Sequence, residues 1–281
     1  MPHSLTRTHI ILFVLTFITT TFAGVMLNGV APWEEPGKFY IGLPFSLTLL
    51  FILLVHEFSH YFMSRRHHVS ASLPYFIPAP SIIGTFGAII KMKPPIPDRR
   101  ALIDIGASGP IGGFIIAVIA TIIGLSMSDV IPVDEVHQMP EGLALGSSLL
   151  FSFLTKITLN IDPEKYEVLL HPVAFAGWIG LLVTALNLLP IGQLDGGHII
   201  YALFGDKHEM ISKLTIPALV IMGLFSWTGW LIWAGLMIII GYRHPPVVYP
   251  MIGLDKNRKI VGWISLVIFI LTFMPMPIQG M

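Results

Sequence analysis

Ile41 to Val55 reads IGLPFSLTLLFILLV and runs without a charge into His56-Glu57-Phe58-Ser59-His60. At ~1.5 Å per helical residue, that run covers about 22 Å of a hydrocarbon core about 30 Å thick before His56 is reached. Two histidines and a glutamate at that depth are expensive unless they face a polar interior or a metal. The stretch therefore predicts a membrane-crossing helix with polar chemistry inside the span.

The composition agrees. The 281 residues are 54% hydrophobic and 11% charged, with a mean hydropathy of +0.79, whereas soluble domains carry about a quarter charged residues. This predicts an all-α polytopic membrane protein whose surroundings are the lipid bilayer. The formal net charge is zero, so bulk charge gives no sign of a nucleic-acid partner. Cysteine is absent, which excludes disulfides and thiolate ligands and leaves His, Asp and Glu for any metal. Ile10 to Ala23 reads as a retained first span rather than a cleaved signal peptide.

Hydropathy places spans near 8–27, 41–63, 106–127, 173–190 and 259–276. The apolar stretch 212–242 is interrupted at Ser226-Trp227-Thr228-Gly229-Trp230, and reads as two short helices joined by a tight turn; a single tilted helix is the alternative. Six to seven spans follow. The loop 64–105 carries Arg65, Arg66, Lys91, Lys93, Arg99 and Arg100, and the loop 243–258 carries Arg243, Lys256 and Arg258. Positive loops stay in the cytoplasm, and both do so only if 212–242 crosses twice. The loop 128–172 is acidic, with Asp129, Asp134, Glu135, Glu141, Asp162, Glu164 and Glu167, and belongs outside. Within it, Leu143 to Leu159 is apolar but short and reads as interfacial or re-entrant. His171-Pro172 marks an outer helix start. Pro44, Gly42, Trp227, Trp230 and Trp233 read as helix breaks and interfacial belts. A single integral-membrane domain over 1–281 is expected, with a core near 41–200 and C-terminal spans over 212–276.

Residues four apart share a helix face, so His56 and His60 can present imidazoles to one metal. Glu57 is turned around the helix and can reach a water on that metal. A catalytic zinc needs a third protein ligand and an open position. The best candidate lies in Asn187-Leu188-Leu189-Pro190-Ile191-Gly192-Gln193-Leu194-Asp195-Gly196-Gly197-His198. Asp195 falls toward the same membrane side as His56 and His60. Pro190 and Gly192 interrupt regular helix, and broken helix at membrane depth is tolerated where it is buried in protein or lines a watery cavity. Asp195 reads as the third ligand, with a helix cap at the membrane border as the alternative.

HEFSH in one span and NLLPIGQLDGG in a later one resemble the site-2 protease family of intramembrane metalloproteases. Gly84-Thr85-Phe86-Gly87-Ala88-Ile89 and Asp104-Ile105-Gly106-Ala107-Ser108-Gly109-Pro110 resemble the branch that includes plant chloroplast members. The resemblance runs over about 41–200, and more weakly through Arg243-His244-Pro245-Pro246 to the last span. It implies one Zn2+ held by His56, His60 and Asp195, with Glu57 as general base, and a transmembrane protein as substrate, cut near the cytoplasmic side of a cell or plastid membrane. No PDZ or CBS domain is expected.

Asn187, eight residues before Asp195, can donate to a peptide carbonyl or its oxyanion, or make an inter-helix hydrogen bond. Gly84, Thr85, Phe86 and Gly87 begin a β-prone run after the second span, which can offer a strand edge to an unwound substrate or form an ordinary hairpin. Asp104 reads as an N-terminal cap of the third span or as a partner to a ligand histidine. His198 reads as a border histidine or a helper of the site, and Arg65-Arg66-His67-His68 as an anchor. The rival to the peptidase reading is a membrane metal transporter, which needs polar residues across the whole membrane; here the outer halves of the spans are almost wholly apolar.

Overall fold

The computed structural model describes residues 6–93, 95–136, 144–162 and 165–279. Glu141, Leu143 and Glu164, which belong to the acidic loop and its apolar stretch, lie outside the described residues. Helix α1 (Arg7–Leu27) is followed by a 3-10 turn over Pro36–Gly42 that leads into α2 (Leu43–Arg66). A hairpin of β1 (Tyr75–Pro78) and β2 (Thr85–Ile89) comes next, then α3 (Arg99–Ser126). Short pieces follow: β3 (Asp129–Pro132), α4 (Val133–Val136) and β4 (Ala144–Leu145). Then come α5 (Leu149–Leu159), β5 (Tyr166–Leu169), α6 (Pro172–Asn187), α7 (Asp195–Phe204), α8 (Lys207–Phe225), α9 (Gly229–Ile240), α10 (Lys256–Thr272) and β6 (Ile278–Gln279). Among the described residues three strand pairs form, all antiparallel: β1 with β2, β3 with β5 and β4 with β6. Only the first was expected.

Among the described residues, four helices are long and apolar enough to cross a membrane: α1, the 3-10 turn together with α2, α3 and α8. Their outer faces fit a hydrocarbon solvent. Ile10 and Ile18 on α1, Ile115 and Ile119 on α3, and Ile221 and Leu224 on α8 are exposed, where a soluble protein would carry charge.

Inside, close approach replaces hydrophobic burial as the organising device, as lipid tails are as apolar as leucine. Helices α2, α3 and α6 meet through small residues. A Cβ on Gly180 of α6 would lie 2.8 Å from that of Ala117 on α3, and one on Gly177 would lie 2.5 Å from Thr121 Oγ1. Phe45, Leu49, Ile52, Leu53, Trp178, Ile179 and Leu181 fill the surrounding core. Helix α1 joins through Thr20 Oγ1, 2.6 Å from Ser46 Oγ on α2, and reaches the hairpin through Thr19, which donates to the Gly84 carbonyl at 2.6 Å.

Three local expectations change. Helix α3 starts at Arg99 rather than near 106, because Asp98 caps it by accepting from the amides of Arg100 and Ala101. The charged first turn hides this start from hydropathy. Asp104 is therefore an interior residue and not a cap. Trp230 is not part of an interfacial belt: it is fully buried, donates to the Pro275 carbonyl at 2.8 Å and stacks on Phe273. The interruption at 226–228 does separate two helices, and Gly223 of α8 packs directly against Leu231 of α9. His171 caps α6, as its position before Pro172 suggested. Helix α5 is an 11-residue segment, only ~16 Å long and too short to span.

Candidate metal centre

His56 and His60 lie one turn apart on α2 and are 4% and 5% exposed; Glu57, turned around the helix, is buried too. Asp195 arrives from a broken helix. Helix α6 ends at Asn187, and the chain bends through Pro190 and Gly192, whose φ of +57° is in the left-handed region that glycine occupies without strain. It restarts at Asp195, the first residue of α7. The break is tight. A Cβ on Gly196 would lie 2.1 Å from the Leu188 carbonyl oxygen, so no larger residue permits this bend.

Three side-chain atoms converge. His60 Nε2 lies 3.1 Å from His56 Nε2 and 3.2 Å from Asp195 Oδ2, and His56 Nε2 lies 3.4 Å from that oxygen. A tetrahedral zinc site with bonds of ~2.0–2.1 Å has ligand–ligand edges of about 3.3–3.4 Å. The spacing and the nitrogen–oxygen donor set both fit zinc, and the three residues are positioned to bind a metal ion.

The orientation of His60 explains the convergence. Its Nδ1 lies 2.8 Å from the Ile105 carbonyl oxygen of α3. A carbonyl only accepts, so Nδ1 carries the hydrogen, and Nε2, aimed at Asp195 Oδ2, is the ring atom that would face a metal. Orientation of a ligand histidine through its other ring nitrogen is the usual outer-shell arrangement.

The sequence reading did not assign this partner, nor the glycine face that admits the rings. A Cβ on Gly109 would lie 2.0 Å from His60 Nε2, one on Gly112 would lie 2.4 Å from Ser59 Oγ, and one on Gly113 would lie 3.0 Å from His56 Nδ1. The signal was present as glycines at 106, 109, 112 and 113, a helical face of α3.

Asn187 also reaches the site, with Nδ2 3.4 Å from His56 Nε2. The backbone of Ile90, just past β2, lies near the Glu57 carboxyl. In β2, Thr85 is buried and bonds the Ile77 carbonyl across the hairpin, while Phe86 is 74% exposed. Gly84 and Gly87 take positive φ values of +80° and +94°. Asp104 does not touch either histidine of the centre. It pairs instead with His67 of α2 at 2.8 Å and, through two carboxylate oxygens, with Arg258 of α10. His198 is buried on α7 and bonds His244.

The pattern of peptidase family M50 matches residues 44–227, and the chain belongs to that family. It is 35% identical over 239 residues to "Probable zinc metalloprotease EGY1, chloroplastic" of Arabidopsis thaliana, covering 83% of this chain and 43% of that protein. It is 31% identical over 184 residues to "Probable zinc metalloprotease EGY2, chloroplastic" of the same plant, covering 65% and 32%. A third relative, "Probable zinc metalloprotease EGY3, chloroplastic" of Oryza sativa subsp. indica, is 27% identical over 253 residues, covering 83% and 42%. The chain thus spans less than half the length of these relatives. No solved structure matches it.

Proposed function

We propose that this chain is a zinc-dependent intramembrane endopeptidase that hydrolyses peptide bonds of transmembrane protein substrates near the cytoplasmic side of its membrane. The observation that carries this reading is the convergence of His56 Nε2, His60 Nε2 and Asp195 Oδ2 at 3.1–3.4 Å among buried helices, with Glu57 beside them. A zinc ion bound there supplies Lewis acidity, polarising the scissile carbonyl and acidifying water.

The chain's own groups do the rest. His56, His60 and Asp195 are the ligands. Glu57 takes the proton of the attacking water and delivers it to the leaving amine, a role worth about 10²–10⁴ in rate. Asn187 donates its side-chain N–H to the carbonyl oxygen as charge develops there. A substrate helix hides its peptide bonds and has to unwind first. The segment Gly84, Thr85, Phe86 and Gly87 then offers a strand edge that holds it extended, and the nearness of Ile90 to Glu57 supports that placement.

In this reading residues 1–281 form one peptidase domain with its core at 41–200. The helices α1, α2, α3, α6, α8, α9 and α10 give six to seven spans, depending on whether α8 and α9 each cross. The basic loops 64–105 and 243–258 support a site facing the cytoplasm, or its equivalent in an organelle such as a plastid. The test is Glu57→Gln in the full chain, reconstituted with single-pass substrates. Zinc content stays at the wild-type level and cleavage falls by at least ~100-fold; unchanged cleavage, with contaminating proteases excluded, refutes the mechanism. A comparison of wild-type and Glu57→Gln membranes for accumulated uncut single-pass proteins names the substrates.

A further inference from the structure

Asp195 stands in the first turn of α7, just after a break, where a helix is least constrained. Two things hold that turn. One is α3: a Cβ on Gly106 would lie 2.8 Å from His198 Cβ and 3.4 Å from the Asp195 carbonyl oxygen. The other is the segment 241–249, which straps the break.

The strap is fixed at both ends. At Gly241 its carbonyl oxygen would lie 2.5 Å from a Cβ on Gly192, so the two backbones touch. Val247 is buried with Leu102, Ile103 and Ala202. The amides of Val248 and Tyr249 donate to the carbonyls of Ile96 and Pro97, just before α3. Between these anchors His244 stacks on Tyr201 of α7, with ring centroids 4.4 Å apart, and its Nε2 lies 2.6 Å from His198 Nδ1.

The direction of that bond follows from the ring's other nitrogen. His244 Nδ1 is 2.6 Å from the Pro245 carbonyl oxygen, which only accepts, so Nδ1 carries the hydrogen. Burial, with the His198 ring beside it, holds the His244 imidazole down to about 3, so at neutral pH Nε2 bears a lone pair. His198 Nδ1–H therefore donates to His244. The His198 amide in turn donates to the Leu194 carbonyl at 2.9 Å and closes the first turn of α7.

Resting on the assignment of Asp195 as a metal ligand, we propose that His244 is a positioning residue for the metal centre: through its hydrogen bond to His198 it fixes the first turn of α7 and so the carboxylate of Asp195.

The test compares His244→Phe, which keeps the ring stacked on Tyr201 but removes the acceptor, with His244→Gln, whose side-chain oxygen reaches the same place. Zinc affinity is measured by chelator competition on the full chain in detergent, and the cobalt-substituted protein reports ligand geometry through its visible spectrum. Outer-shell partners of metal ligands typically contribute 10–100-fold, so His244→Phe weakens zinc by about that factor and shifts the cobalt bands, while His244→Gln stays within about threefold of wild type. Wild-type affinity and spectrum in His244→Phe overturn the proposal, and so do equal losses in both variants, which mark a packing role. Should His244→Phe fail to accumulate, His198→Leu breaks the same bond from the donor side, and its wild-type affinity and spectrum equally overturn the proposal. Asp195→Ala runs alongside. If it too binds zinc normally, the ligand assignment has failed; if it loses zinc while His244→Phe does not, only the positioning role has.

Discussion

A single methyl group at Gly109 is predicted to empty the metal centre. The Cβ of Gly109→Ala would sit 2.0 Å from His60 Nε2, 2.3 Å from Cδ2 and 2.5 Å from Cε1. A carbon needs about 3.4 Å or more from such atoms, so roughly 1.4 Å has to be found. Metal–ligand distances tolerate about ±0.2 Å, several times less. The His60 ring can swing away, which breaks its 2.8 Å bond to Ile105, or α3 can separate from α2, which carries Ile105 off with it. Either response takes His60 out of register with His56 and Asp195 and so disturbs two of the triangle's three edges. Overpacking itself costs about 1–3 kcal/mol, so the protein folds with a lowered Tm. Zinc affinity falls on the order of 100-fold or more, as expected when a ligand and its orienting partner are both disturbed. The assay is zinc stoichiometry and chelator competition beside thermal unfolding. Gly113→Ala, at 3.0 Å from His56 Nδ1, gives a smaller loss, and Gly235→Ala, which meets nothing within 4 Å, gives none. Full zinc occupancy and wild-type affinity in Gly109→Ala would refute the geometric reasoning.

Asp195→Ala lowers zinc content below one ion per chain; wild-type stoichiometry removes Asp195 from the ligand set. Trp230→Ala deletes a fully buried side chain with its Pro275 bond and Phe273 stacking, and lowers stability by about 3–5 kcal/mol without changing zinc affinity, read by thermal unfolding of holo-protein. Arg258→Met breaks the two-oxygen bond to Asp104 and destabilises by about 1.5–3 kcal/mol, as for hydrogen bonds to charged groups; an unchanged Tm shows the pair to be dispensable. Phe86→Ala, at a side chain 74% exposed, leaves Tm and zinc unchanged but raises KM for a transmembrane substrate, and unaltered kinetics argue against strand pairing.

The long apolar spans were legible because membrane solvent imposes length and composition on the chain. Helices α1 and α2 fall where uncharged runs predict them, and the pairing of His56 with His60 follows from helical periodicity alone. Asp195 was reachable because Pro190, Gly192 and the following glycines announce a break. Less legible were contacts set by tertiary packing. The seven-residue error at the start of α3 arose because Asp98, Arg99 and Arg100 look like loop while acting as cap and first turn. Trp230 carries the composition of an interface residue, and only the approach of Pro275 and Phe273 reveals it as core. The bond from His198 to His244 joins residues 46 apart, and no periodicity reports such a distance. Nor does it report a backbone acceptor: the Ile105 carbonyl has no residue type to read.

That carbonyl has a consequence for how the centre varies under mutation. Many ligand histidines lean on a carboxylate, which one codon change can delete. His60 leans on a group that every amino acid possesses, so no side-chain exchange at position 105 removes it. The constraint is passed instead to the glycines that let the two helices touch. Exchange among apolar residues that fill the buried Ile105 position should therefore leave the centre intact, whereas any side chain at Gly109, one helical turn away, is punished.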